Sequence, residues 1–255
     1  MTETNRMEPH EFWQEFFPPA TFSAHGRFRT SFPANLADGR QILLPIRPLS
    51  DGKHALASLI VNQASFEVQD ALAAELAARL SAFEPEIVAG LPTLGLTLAA
   101  AVARKLGHKR YVPLGTSRKF WYVEDLSVPL SSITTPGQKK RLYADPRMLP
   151  LLRNRRVVLI DDVISSGASI VAGLSLMASC GVEPVAIGAA MLQSERWRQP
   201  LFDLSAQWPA RTVGVFATPM LVRAEDGTWD GGGMTRGEQT VCCFSPHSTP
   251  ELIVS

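Results

Sequence analysis

Long apolar runs, a cysteine framework and an excess of either charge are all missing from this chain of 255 residues. No hydrophobic stretch approaches the roughly 20 residues that span a bilayer, so no membrane partner is expected. Met1–His10 carries acids and no apolar run, unlike a secretion signal. The only cysteines are Cys180, in a helical segment, and Cys242-Cys243, whose adjacent side chains would take opposite faces of a β-like segment. They give no disulfide framework, and a reducing cytoplasm is the simplest setting. His10, His25, His54, His108 and His247 are scattered and show no metal-ligand spacing. With 25 basic and 24 acidic residues the formal charge is +1, so no nucleic-acid partner is expected.

What is present is enough apolar sequence for one substantial core. The first sixty-odd residues read as β-like and turn-rich. Arg27–Phe32 and Gln41–Ile46 should pair across the Ala-Asp-Gly turn at 37–39, and Ala57–Val61 reads as a further strand. Helical periodicity follows over Phe66–Phe83, with Ser65 as N-cap, and over Leu94–Leu106, stopped by Gly107. Strands are expected at Glu86–Gly90, Tyr111–Leu114, 157–160, Pro184–Met191 and Thr212–Phe216, with a helix after 160 that runs to Cys180. The middle therefore reads as a doubly wound parallel α/β sheet. Between Gly115 and about Pro150 lies a long stretch with no expected structure, the signature of a lid or a disordered segment.

Residues 157–169, Val-Val-Leu-Ile-Asp-Asp-Val-Ile-Ser-Ser-Gly-Ala-Ser, carry the most chemistry. Four apolar residues suit a strand buried on both faces, and the acids Asp161 and Asp162 then fall at its carboxyl end. Two adjacent acids cannot both point to solvent from an extended segment, so one is aimed inward and needs a partner. The turn Ile164–Ser169 opens a helix, where backbone N–H groups and hydroxyls suit a phosphate. Carboxylates beside a phosphate seat imply a ligand with a phosphate, vicinal hydroxyls and a metal. A P-loop is excluded because the Lys of GxxxxGK[ST] is missing, and a dinucleotide fingerprint because only one glycine is present.

This pattern resembles the 5-phosphoribosyl-1-diphosphate (PRPP) loop of the type I phosphoribosyltransferases. The resemblance implies that Asp161 and Asp162 hold the ribose hydroxyls and, through water, orient Mg²⁺. It implies that Val163, Ile164, Ser165, Ser166, Gly167, Ala168 and Ser169 cradle the 5-phosphate. Leu91, Pro92, Thr93, Leu94 and Gly95 occupy the place of the family's diphosphate loop, which often contains an unusual peptide geometry; alone they would pass for a tight βα turn. Arg118 and Lys119 match the Arg-Lys pair of adenine and orotate enzymes and would neutralise leaving diphosphate. Lys139, Lys140 and Arg141 would be the cations of a lid, preceded by the hydroxyl-rich Ser131–Gly137. Phe120-Trp121-Tyr122 reads as a packing anchor or a subunit contact. Trp197, with Arg198, stands just past a strand and is either a base contact or a core residue.

The fold implied is a type I phosphoribosyltransferase core over about 62–192, with a small hood from about 1–61 and 193–255, in one domain spanning 1–255. The activity implied is Mg²⁺-dependent transfer of phosphoribose from PRPP to a nucleobase nitrogen, in a homodimer. A non-catalytic PRPP sensor is the alternative. Ser165 stands where hypoxanthine-guanine enzymes carry Asp, which argues against that subgroup. The turn looks more like that of orotate enzymes, though the Lys and His-Gly those enzymes show after their Arg-Lys pair are missing. The resemblance points to a divergent branch nearest the orotate and adenine enzymes.

Overall fold

The computed structural model describes residues 7–23, 25–130 and 140–232. Cys242, Cys243, His247, Ser131–Gly137 and Lys139 lie outside the described residues. In chain order the elements are β1 (Arg27–Phe28), β2 (Ser31–Asn35), β3 (Gln41–Pro48), β4 (His54–Ala57), α1 (Phe66–Leu80), β5 (Ile87–Gly90), α2 (Gly95–Lys105), β6 (Val112–Pro113) and β7 (Ser127–Pro129). There follow β8 (Arg141–Tyr143), α3 (Leu149–Leu152), β9 (Val157–Ile164), α4 (Ala168–Ser179), β10 (Ala186–Gln193), α5 (Arg198–Leu204), β11 (Thr212–Thr218), β12 (Met220–Arg223) and β13 (Trp229–Asp230).

A five-stranded parallel sheet, in the order β11-β10-β9-β5-β6, forms the centre. Its strands lack alternation because both faces are covered. Val158 and Ile160 join the apolar cluster of α1 and α2, whereas Val157 and Leu159 join that of α4. Ser65 caps α1 as its position suggested, its Oγ accepting from the Val68 N–H at 3.2 Å. The second sheet is antiparallel, in the order β1-β13-β12-β4-β3-β2, and draws strands from both terminal regions. It is the hood. The parallel sheet also reaches past residue 192, because β11 belongs to it.

Several expected boundaries moved. The strand over Arg27–Phe32 divides into β1, which pairs with β13, and β2, which pairs with β3, while the strand at 157–160 runs on to Ile164 and so contains both acids. The strand over Ala57–Val61 is instead β4, which ends at Ala57, and Val61–Gln63 is a 3₁₀ turn. After Ala57 the chain turns inward to bury Leu59 and Val61, and the Trp13 Nε1–H fastens the Ser58 carbonyl at 3.0 Å. The described parts of the stretch after Gly115 are not structureless either. β7 and β8 pair antiparallel, and Leu126, Leu142 and Ala144 are buried in the cluster beneath α4. Those apolar positions are too few and too far apart to show a period in the sequence, yet enough to seat a hairpin.

Candidate functional site

The order β9-β5-β6 places three segments side by side at the carboxyl edge of the sheet: 161–169, which is the end of β9 and the turn after it, and the turns 91–95 and 114–119. Ligands bind at that edge in open α/β sheets. The first two touch. A Cβ on Gly95, at the start of α2, would come within 2.8 Å of Asp161 Oδ1 and 2.9 Å of its Cα. Only glycine lets the helix end approach the acids so closely. Leu91 donates its N–H to the Ile160 carbonyl at 2.8 Å, and the Pro92–Thr93 peptide is cis.

Asp161 is 7% exposed and Asp162 is half-buried, so one acid of the pair is turned inward as expected. The Asp162 N–H donates to Asp161 Oδ1 at 2.9 Å. Burial, and then the neighbouring charge of Asp162, push the Asp161 carboxyl well above the usual carboxylate range. Burial also raises Asp162. Each charge is therefore costly unless hydroxyls or a cation are brought to it. Among the described residues no group of three or more acids, histidines or cysteines could cage a metal. Two carboxylates do fit Mg²⁺, which keeps waters and takes further oxygens from a phosphorylated substrate.

The chain then turns through Ser165 and Ser166 to Gly167, the N-cap of α4, in left-handed backbone at φ 83°. A Cβ there would also come within 3.3 Å of the Trp197 backbone, a tight contact that adds to the conformational preference for glycine. Ser165, Ser166 and Ala168 are partly exposed and Ser169 is exposed, leaving the helix start open to an anion.

Arg118 and Lys119, just beyond β6, are exposed, and among the described residues Arg118 is paired with Glu124 rather than with the acids. Arg118 lies 3.7 Å from Glu124, whose other oxygen is 3.2 Å from Arg141. Arg141 also donates to Ser127 Oγ at 2.7 Å, so it braces the hairpin rather than projecting as a free lid cation. Lys140 is exposed beside it. Trp121 is an anchor: its Nε1–H donates to Asp145, and the Arg147 guanidinium lies 4.1 Å from its ring. Phe120, beside it, is 95% exposed.

Trp197 is 1% exposed and packed in the cluster beneath α4, which leaves no ring face for a base. The base-contact reading is corrected accordingly. Its neighbour Arg196 carried no expectation, yet Nη2 donates to Ser165 Oγ at 3.0 Å. The sequence held no local signal for it: the two meet because β9 and β10 are parallel neighbours whose ends lie in register.

A family model described as a phosphoribosyl transferase domain matches residues 58–215. A hypoxanthine/guanine phosphoribosyltransferase of Methanosarcina acetivorans is 28% identical over 138 residues, 54% of this chain and 64% of that one. The bifunctional protein PyrR of Streptococcus gordonii is 27% identical over 117 residues, 44% of this chain and 59% of that one. The match thus spans under two thirds of either relative. Among solved structures, the APRTase of Giardia lamblia complexed with 9-deazaadenine superposes with a TM-score of 0.54 at 20% identity, covering 68% of this chain and 93% of that one. The adenine phosphoribosyl transferase of Trypanosoma brucei, in complex with AMP, pyrophosphate and ribose-5-phosphate, gives 0.50 at 17% identity, covering 81% and 75%.

Proposed function

The chain belongs to the phosphoribosyl transferase domain family, and from that premise we propose that it transfers 5-phosphoribose from PRPP to a ring nitrogen of a nucleobase, releasing pyrophosphate. One observation carries the reading: β9, which bears the buried Asp161 and its neighbour Asp162, leads directly into the glycine turn of α4, and the start of α2 at Gly95 closes on the acids.

The roles follow from charge. Neutral N–H and hydroxyl donors of Ser165–Ser169 at a helix start favour the 5-phosphate, which the carboxylates would repel. Asp161 and Asp162 accept from the ribose hydroxyls and would hold Mg²⁺ through water. Bound there, it would supply positive charge for the departing diphosphate. Arg118 and Lys119 stand at the adjoining turn to take the leaving charge. The bond from the anomeric carbon to diphosphate breaks with its electron pair on oxygen. A base nitrogen attacks from the opposite face, and its proton passes to solvent. Positioning two partners and stabilising the departing anion supplies most of the acceleration.

Ser165 disfavours the hypoxanthine-guanine subgroup, while one relative bears that name. Purines and orotate-like pyrimidines therefore both belong in the test: pyrophosphate release from PRPP and Mg²⁺ across such a panel. Base-dependent release is expected. PRPP-dependent thermal stabilisation without turnover on any base would favour the sensing alternative instead.

A further inference from the structure

Arg196 is a cation that the phosphoribosyl-transfer reading has left without a role. It lies two residues past Ser194 in the turn that follows β10. β10 runs parallel to β9 with Leu192 opposite Ile164, so the turns beginning at 165 and 194 emerge side by side. They meet at two points. Arg196 Nη2 donates to Ser165 Oγ at 3.0 Å, and Gly167 packs against the Trp197 backbone. The second turn is itself held. Ser194 is 4% exposed, and its N–H donates to the Thr218 carbonyl at 2.7 Å. Its Oγ accepts from the Arg196 N–H and Nε, each at 3.4 Å. Among the described residues Arg196 makes no ion pair with a carboxylate. Arg198, by contrast, pairs with Glu195 and lies 4.7 Å from the Trp197 ring centre.

Building on the PRPP reading, we propose that Arg196 is a specificity-determining residue for the 5-phosphate, selecting a phosphorylated furanose over the free pentose. A guanidinium has no acceptor, so it must donate to Ser165 Oγ. That occupies a lone pair of the hydroxyl and leaves its proton for a phosphate oxygen. A hydroxyl already accepting from a cation is also a stronger donor. The effect is local. Every other donor of the turn is neutral, and Asp161 and Asp162 repel an anion, so the one positive charge of Arg196, held against Ser165, offsets them beside the phosphate seat. Diphosphate, on the far side of the acids, gains little from it.

The test is calorimetric titration of ribose 5-phosphate and, separately, inorganic pyrophosphate, each with Mg²⁺, into wild type, Arg196→Gln, Arg196→Lys and Ser165→Ala. Steady-state kinetics in PRPP accompany it. Losing a charge-assisted hydrogen bond should weaken ribose 5-phosphate and raise KM for PRPP in Arg196→Gln by about tenfold to a hundredfold. Pyrophosphate binding and kcat at saturating PRPP should stay unchanged, with Arg196→Lys recovering part of the loss. Ser165→Ala should weaken ribose 5-phosphate in the same sense. Wild-type affinity for ribose 5-phosphate in Arg196→Gln would overturn the proposal, as would an equal loss for both ligands. Wild type that binds neither PRPP nor ribose 5-phosphate would overturn the PRPP reading beneath it.

Discussion

Segment 161–169 and the described parts of connection 115–147 meet at the same edge of one sheet, yet they are built differently. The first continues a central strand, buries Asp161, and is pinned by Gly95 on one side and by Trp197 and Arg196 on the other. The second carries Arg118 and Lys119 on exposed backbone, steadied by surface ion pairs through Glu124 and by the Trp121–Arg147–Asp145 cluster. Asp145 is held low, at about 2, by its bond to Arg147. In the proposed reaction, recognition of ribose and phosphate would thus rest on groups fixed before binding. Arg118 and Lys119, the proposed leaving-group cations, sit where side chains still have rotamers to lose, so their contribution would be made as diphosphate arrives.

The comparison breaks most decisively at the acids. Asp161→Asn with Asp162→Asn should lower PRPP turnover about a thousandfold or more, measured as pyrophosphate release, because ribose and Mg²⁺ lose their anchors together. Retained activity would remove the pinned half of the site. Arg118→Ala should cost roughly tenfold to a hundredfold in kcat/KM. Its melting temperature should not move, because the side chain is 59% exposed. A stability loss there would show that the connection is as closely built as the acid turn.

Glycine substitutions sharpen the contrast. Gly95→Ala drives a methyl into the Asp161 backbone and should destabilise the fold by about 1–3 kcal/mol in denaturant melts. Gly115→Ala meets only the Tyr122 hydroxyl at 4.0 Å and should be neutral by the same measurement. Asp161→Asn alone should raise the melting temperature of the ligand-free protein at neutral pH. Burial raises this carboxyl's folded-state pKa above its unfolded value, so its stabilising contribution is present at low pH and is lost as pH rises through the folded pKa. The amide removes that penalty, and each kcal/mol relieved is worth roughly 2–4 °C. Smallest of all, Glu124→Gln should change stability by less than about 1 kcal/mol, because its ion pairs face water.

How much of this was legible in the sequence follows the same division. The run Val157–Ile160, the acid pair and the Ser-Ser-Gly turn announce strand, site and helix, because burial on both faces and a phosphate seat leave local marks. The caps at Ser65 and Gly107 are local too. The hood strand was displaced because pairing with β3 and β12, rather than any residue in 57–61, decides where β4 ends. The hairpin of β7 and β8 depends on burying Leu126 and Leu142 against a distant helix. Arg196 was missed for the same reason. Its partner Ser165 is 31 residues away in sequence, and only strand register brings them together.

The most direct test is a crystal structure of the protein grown with PRPP and Mg²⁺. The 5-phosphate is expected in the turn Ser165–Ser169, the ribose hydroxyls against Asp161 and Asp162, and the diphosphate toward Leu91–Gly95. A 5-phosphate bound anywhere else at saturating PRPP would contradict the assignment of that turn.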